Sequence, residues 1–406
     1  MQKTIAVIGT LDTKADEFAF LKKCIEEADV ATLMIDAGGQ RSSGKMQADV
    51  TNEQVAQAAG ASFEEIVQSG DRGYVMDVMM RGTEKCLLKL FDEGKVDGVI
   101  SLGGSAGTTI GTYAMRSLPI GVPKLQVSTV ASGDTRPYVG TKDVTMMYSV
   151  VDVAGLNSIS MKIISNAANA IVGMVKNEKT ISGGKPLIAA TMFGVTTPCI
   201  TYAKEYLEDQ GYEVLVFHAT GAGGKAMEVL IEGGFIQGVL DLTTTEIADE
   251  LAGGVLTAGP DRMDAAVKAG IPNVVSVGAL DMVNFGIFES VPEKYKDRNL
   301  YKHNLTITLM RTTAEENRQL GAVIAQKVNR SQVGKTKLYI PLKGVSLYDL
   351  PGKPFFGEEE DRILFDTLRE EIDPSVVEII EMDTDINDKS FAVSAARKLC
   401  EMIEEK

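Results

Sequence analysis

One pattern constrains this chain more than any other, and it occurs twice. A short β-branched apolar run leads into a loop of glycines, hydroxyls and carboxylates, and a segment with helical spacing follows. In the first half, residues 4–8 are such a run and Gly9-Thr-Leu-Asp-Thr-Lys14 is the loop. Residues 15–28 then place Phe18, Leu21 and Ile25 on one helical face. A second strand over 32–36 ends in Ala37-Gly38-Gly39, and a polar insertion spans 40–71. A helix over 75–91, a strand over 98–102, the loop Gly103-Gly-Ser-Ala-Gly107, a helix over 110–116, a strand over 124–128 and a polar loop over 129–135 complete the half. Apolar strands alternating with helices predict βαβ units and a mostly parallel sheet covered on both faces.

The second half repeats this order without the insertion. A strand over 187–191, a loop over 193–197 and a helix over 200–210 match the opening unit. Residues 214–217 end in His218-Ala-Thr-Gly-Ala-Gly-Gly-Lys225. Residues 238–242 with Thr243-Thr-Thr-Glu246 match 98–106, and 273–277 with Gly278-Ala-Leu-Asp281 match 125–134. After Pro292 a strand over 305–309, a helix over 314–329, a strand over 337–341 and a helix over 358–371 finish the half. A length of 406 residues suits two domains at ~100–200 residues each. The expected fold is α/β: two similar Rossmann-like lobes, residues 1–180 and 181–406, with mostly parallel sheets and a cleft between them. A long helix over 149–176 closes the first lobe, and 177–185 is the junction.

Composition narrows the function. With 41 Lys and Arg against 56 Asp and Glu the net charge is −15, which disfavours nucleic acid and anionic membrane as partners. Four dispersed cysteines without a C-x-x-C pair argue against a disulfide framework or a structural zinc site. Two histidines leave no room for a multi-histidine metal centre. The first apolar run stops at Gly9, too short for a signal peptide, and no apolar run reaches the ~18 residues of a membrane span. A cytoplasmic protein acting on a small molecule is expected.

Ligands of parallel α/β sheets bind at the carboxyl ends of the strands, where all these loops fall. Gly103, Gly104, Ser105, Gly107 and Thr108 lie between a strand and a helix. Backbone N–H groups exposed by glycine, with the positive helix terminus, suit phosphate; a tight N-capped turn is the plainer alternative. The lysine of a Walker A motif is missing there. Gly9, Thr10, Asp12, Thr13 and Lys14 add hydroxyls, a carboxylate and a cation. Asp36 stands where a ribose-binding carboxylate would, and Ser128, Thr129, Ser132 and Asp134 form a third polar loop. In the second half, Gly221-Ala-Gly-Gly224 with Lys225 is another candidate anion nest. His218 is the better acid–base candidate of the two histidines, and Asp261, Arg262, Asp281 and Asn284 would serve a polar or anionic substrate. His303, Asn304, Arg311 and Thr312 flank a predicted strand near the same loops.

The motifs Gly9-Thr-Leu-Asp-Thr-Lys14, Gly98-Val-Ile-Ser-Leu-Gly-Gly-Ser-Ala-Gly-Thr108, Gly259-Pro-Asp-Arg262 and Gly278-Ala-Leu-Asp-Met-Val-Asn284 resemble those of a largely uncharacterised microbial family. Its members are similar to the N-terminal ATP-binding region of the tomato mosaic virus resistance protein. The resemblance spans essentially the whole chain. It implies a two-lobed Rossmann-like fold, a nucleotide site in the first lobe and self-association as homo-oligomers of two or more copies; ATP with magnesium as the bridging ion is the leading ligand reading. ATP would place its phosphates on residues 103–108 and 9–14, and its adenine and ribose near Asp36 and the 128–134 loop. Phosphoryl transfer to a small polar or anionic metabolite held by the second lobe is then the leading reaction class. Two alternatives stay open: an enzyme of sugar or organic-acid phosphates without ATP turnover, and a non-catalytic nucleotide-binding regulatory module.

Overall fold

The computed structural model describes residues 2–42, 44–177 and 184–405 and divides into two compact units, Met1–Ile181 and Ser182–Lys406. The first unit runs β1 (Thr4–Gly9), α1 (Ala15–Glu26), β2 (Ala31–Asp36), α2 (Asn52–Ala58), α3 (Phe63–Ser69), α4 (Arg72–Asp92), β3 (Gly98–Gly103), α5 (Ser105–Ser117), β4 (Lys124–Ser128), α6 (Arg136–Val139), β5 (Thr145–Tyr148) and α7 (Ser158–Lys176). Its strands lie in the order β2-β1-β3-β4-β5, and every pairing is parallel. This is a doubly wound order, with helices on both faces.

Side-chain alternation in the strands feeds two apolar layers. Ile5 and Val7 of β1 pack with Phe18, Leu21 and Ile25 of α1 and with Ile164 and Ile171 of α7. Ala6 and Ile8 point the other way, against Val55 of α2, Met79 of α4 and Ile110 of α5. Burying a side chain such as Phe18 or Leu21 contributes about 1.5–3 kcal/mol each. Phe18 also dictates Gly9: a Cβ there would lie 2.7 Å from the Phe18 ring. Gly9 thus serves packing, not phosphate approach. Among the described residues, α7 alone is long and apolar enough to cross a membrane by length and composition. Its Ile164, Ala167, Ala168, Ile171 and Val175 side chains are buried in the first unit's core.

The second unit runs β6 (Leu187–Met192), α8 (Thr197–Asp209), β7 (Glu213–His218), α9 (Ala222–Glu232), β8 (Gly238–Thr243), α10 (Thr245–Ala252), α11 (Asp264–Ala269), β9 (Asn273–Gly278), β10 (Met282–Phe285), β11 (Leu300–Lys302), β12 (Thr308–Arg311), α12 (Ala314–Val328), β13 (Thr336–Pro341), α13 (Glu358–Glu371), β14 (Glu378–Met382) and α14 (Lys389–Glu404). Its parallel sheet has the order β14-β13-β9-β8-β6-β7, and β10-β12-β11 form a small antiparallel sheet. Read from β6, this is the first unit's order with one strand added. The two-lobed, mostly parallel α/β fold expected from the alternation is the fold observed.

Several boundaries differ from expectation, each for a local reason. The insertion over 40–71 contains two seven-residue helices, α2 and α3. The helix expected from 110 starts at Ser105, so Ser105 and Gly107 belong to its first turn. Residues 149–157 are not helical; Asn157 accepts from Ile159 and Ser160 in a capping box that starts α7 at Ser158. The strand expected over 305–309 is a turn at its start. Leu305 is 95% exposed, and Asn304 Oδ1 accepts from the amides of Thr306 and Ile307. Of the expected junction over 177–185, residues 178–183 lie outside the described residues.

Candidate functional site

The chain leaves β1 for β2 on one side and β3 for β4 on the other, so the loops after β1 and β3 part at the carboxyl end of the sheet. A cavity of about 890 Å³ opens there. Its polar end is lined by Thr10, Asp12, Thr13, Lys14 and residues 104–107. Gly104 is the N-cap of the 13-residue α5 and supplies no side-chain cap. Among the described residues, the amides of Ser105, Ala106 and Gly107 meet no acceptor. Three free donors at a positive helix end suit an anion. A Cβ on Gly103 would lie 3.0 Å from Gly107 Cα, so Gly103 lets the turn close; one on Gly104 would meet nothing nearer than Thr129 Oγ1 at 3.7 Å.

The loop after β1 is braced from two sides. Asp36, only 2% exposed, accepts from the amides of Leu11 at 3.1 Å and Gly38 at 2.9 Å. Burial pushes its carboxyl up to about 6 against those two bonds. A carboxylate so enclosed is a brace, and the ribose contact expected of it is corrected. Asp12 accepts from the Gln40 amide at 3.1 Å and the Thr13 hydroxyl at 3.2 Å. Lys14 Nζ donates to the Val153 carbonyl, and Glu17 accepts from the Gly155 amide at 2.6 Å. These bonds fasten the segment after β5 to α1.

The other end of the cavity was not legible in the sequence. Ile66 of α3, Val75, Met76 and Met79 of α4, and Ile110 of α5 make an apolar wall, with Arg41 and Arg72 at its edge. Arg41 is held by Glu64 at 2.7 Å. Arg72, by contrast, has no ion pair or hydrogen bond among the described residues. The one available signal was Asp71, which caps α4 and leaves Arg72 at its first position.

The third loop brings Thr129 beside Gly104, but its other candidates are engaged or exposed. Ser128 and Thr108 are buried and joined hydroxyl to hydroxyl at 2.6 Å, and Ser128 also accepts from the Val130 amide. Both are structural, which corrects their reading as ligand contacts. Asp134 is exposed and pairs with Arg136 at 2.7 Å, which holds its carboxyl down to about 2. β2 and β4 are separated by β1 and β3, about 14 Å at strand spacing. Asp36 and the 128–134 loop therefore do not share one adenine and ribose subsite.

In the second unit the polar loop residues are spent on each other. Arg262, buried, reaches Asp241 through both terminal nitrogens at 2.6 Å and Glu246 through Nε at 2.7 Å, with Glu228 3.5 Å away. Burial would discharge it, but these carboxylates hold the guanidinium firmly charged. Glu246 Oε1 also accepts the amides of Gly221 at 2.7 Å and Gly224 at 3.1 Å. The candidate nest at Gly221-Ala-Gly-Gly224 is thus filled by the protein's own carboxylate. Asn284 is buried and clamps Asp249, whose carboxyl burial pushes up to about 7. Asp281 is buried, accepts from Ser346 at 2.7 Å and lies close to Arg311; burial pushes it up to about 6. Arg311 pairs with Asp361 at 3.0 Å, and Thr312 donates to the Leu280 carbonyl. Asp261 is exposed without a side-chain partner among the described residues. His218 is exposed at the end of edge strand β7, its ring 5.5 Å from Phe193. His303 meets the Tyr348 hydroxyl at 3.0 Å, and Asn304 makes the turn described above. β7 and β9 stand three strand spacings apart, about 14 Å. The five residues expected to be catalytic do not converge. Among the described residues no cluster of three or more His, Cys, Asp or Glu side chains could hold a metal ion.

Residues 3–180 match the Uncharacterised protein family (UPF0261) N-terminal domain, and 185–403 match its C-terminal domain. A UPF0261 protein of Clostridium tetani is 56% identical over 405 residues, covering 100% of both chains. One of Rhizobium meliloti is 44% identical and covers 97% of both. The tomato ToMV resistance protein Tm-1(GCR237) is 44% identical over 372 residues, 87% of this chain and 49% of the tomato protein. The motif resemblance noted above therefore holds. Among solved structures, the UDP-N-acetylglucosamine 2-epimerase of Rickettsia bellii aligns with 10% identity over 100% of this chain and 96% of that one, at a TM-score of 0.24.

Proposed function

The chain belongs to the uncharacterised protein family UPF0261, and we propose that its first unit binds ATP at the switch point between β1 and β3. The observation that carries this reading is the cavity of about 890 Å³ bordered by the amides of residues 105–107, Lys14 and Arg72, of which the amides and Arg72 meet no partner among the described residues. That size lies within the ~300–1,000 Å³ usual for small-molecule sites. The polar end matches a polyphosphate: helix-terminal donors, the Lys14 cation and the hydroxyls of Thr10 and Thr13, with Arg72 at the edge of the apolar wall as a second cation within reach of the outer phosphate. The apolar wall from α3 and α4 matches a ring system. Magnesium bound with phosphates needs only one or two carboxylates and keeps waters of its own; Asp12 borders the polar end of the cavity.

Phosphoryl transfer to a small polar or anionic metabolite is the reaction class we attach to this site, because positioning and charge neutralisation carry most of that chemistry. Placement of the metabolite in the second unit has no support, since the strand ends there are occupied by Arg262 and its carboxylates. Calorimetric titration with ATP, ADP, AMP and adenosine in the presence of magnesium tests the reading. Affinity should climb with each phosphate; equal affinity for adenosine and ATP would remove the anion from the account.

A further inference from the structure

We propose that residues 129 and 148–152 form an acceptor subsite beside the phosphate end of the nucleotide cavity, with Asp152 as the catalytic base. The proposal rests on the ATP reading above and extends it to the second substrate. A smaller cavity of about 330 Å³ is lined by Thr129, Tyr148, Ser149, Val150, Val151 and Asp152. Asp152 borders both this cavity and the larger one, so the two meet at its carboxylate. Thr129 lies on the same boundary, its hydroxyl the nearest atom to a Cβ built on Gly104. The subsite thus adjoins the α5 terminus.

Three further observations suit a small hydroxylated acceptor. Among the described residues, the hydroxyls of Thr129 and Tyr148 make no hydrogen bond. Val150 is 57% exposed and holds a left-handed φ of 63°, uncommon for a β-branched side chain and costing about 1–3 kcal/mol. The segment is nevertheless held, because Lys14 grips Val153 and Glu17 grips Gly155. One lysine therefore ties the phosphate loop to the residue next to the base. Asp152 itself is exposed, and among the described residues its Oδ1 accepts only from the Val153 amide.

In the step this geometry serves, the acceptor hydroxyl oxygen bonds to the γ-phosphorus. The bond from that phosphorus to the β,γ-bridging oxygen breaks, its electron pair leaves on ADP, and the hydroxyl proton passes to the Asp152 carboxylate. Apolar bulk is unwelcome in a cavity of this size and lining, so the acceptor is a small alcohol or polyol, with water as the default.

The test compares wild type, Asp152→Asn, Asp152→Glu and Thr129→Val. Calorimetry reads magnesium-ATP binding, and ADP release is followed in buffer and with glycerol as the probe acceptor. Wild type should release ADP, faster with glycerol. Asp152→Asn should release it ~100-fold or more slowly, the usual span of a general base, with nucleotide affinity kept; Asp152→Glu should recover part of the rate. Thr129→Val should lose the response to glycerol but keep ATP binding. Unchanged ADP release in Asp152→Asn, or none from wild type that binds ATP, overturns this proposal alone. Failure of wild type to bind ATP removes the reading beneath it as well.

Discussion

Arg262 grips Asp241 through both terminal guanidinium nitrogens at 2.6 Å, deep in the second unit and just past the end of β8. The two units share a strand order but use their strand ends differently. The first leaves helix-terminal amides open onto a cavity; the second fills the corresponding region with an arginine and three carboxylates.

Removing Arg262 should be costly. Arg262→Met leaves Asp241, Glu246 and Glu228 without their counter-charge, and breaking a buried pair in this way costs about 3–5 kcal/mol. Urea unfolding should show the second unit melting early. A loss below about 1 kcal/mol would mean that the carboxylates find protons or water without cost.

Asp36 should give the first unit a pH-dependent stability. Its folded value of about 6 lies above the ordinary carboxyl value of 3.8. The folded state therefore binds the proton more tightly, and this stabilising contribution is present below about pH 4 and lost as pH rises to about 6. Asp36→Asn keeps an acceptor for Leu11 and Gly38 and should flatten that part of the curve. Superimposable pH profiles for the two proteins in thermal denaturation would contradict the brace.

Gly82 should tolerate no side chain. A Cβ there would stand 2.0 Å from the Val55 carbonyl oxygen, where α2 crosses α4. Alanine gains up to about 1 kcal/mol in helix propensity, but the overlap with rigid backbone costs typically 1–3 kcal/mol. Gly82→Ala should lower the melting temperature. An increase would show that α2 can move aside.

Arg72→Ala should weaken ATP about 10- to 150-fold, the range for one charge-assisted hydrogen bond of about 1.5–3 kcal/mol. Stability should not change, because the side chain is exposed and has no partner among the described residues. Arg41→Ala should cost less, since Glu64 already holds that cation. Equal losses for the two would put the phosphates nearer the insertion than α5.

Much of the fold was readable because strand runs and helical spacing agree over long stretches; the strand expected over 124–128 is β4, Lys124–Ser128. Misread boundaries arose where polar or small residues do helical work: Ser105 and Gly107 look like loop and lie in the first turn of α5, and α2 and α3 are too short for a clear period. The site was half legible. Residues 104–107 and Lys14 follow from glycines after a strand. The burial of Asp36, Ser128, Arg262, Asp281 and Asn284 depends on which partner each meets, and a polar residue at a strand end looks the same whether it faces ligand or carboxylate. Arg72, Met76 and Asp152 come to the cavity from distant segments, and no local motif announces them.

Phosphates on the amino end of α5 are checked by magnesium-ATP calorimetry on wild type and Gly104→Asp. Gly104 has φ −78° and a Cβ there would make only ordinary contact with Thr129 Oγ1 at 3.7 Å, so aspartate fits without strain and sets a negative charge at the anion position. Wild type should bind, and the variant should lose at least about tenfold in affinity, or about 1.4 kcal/mol, at an unchanged melting temperature. Undiminished affinity in Gly104→Asp would mean that the phosphates do not sit at the amino end of α5.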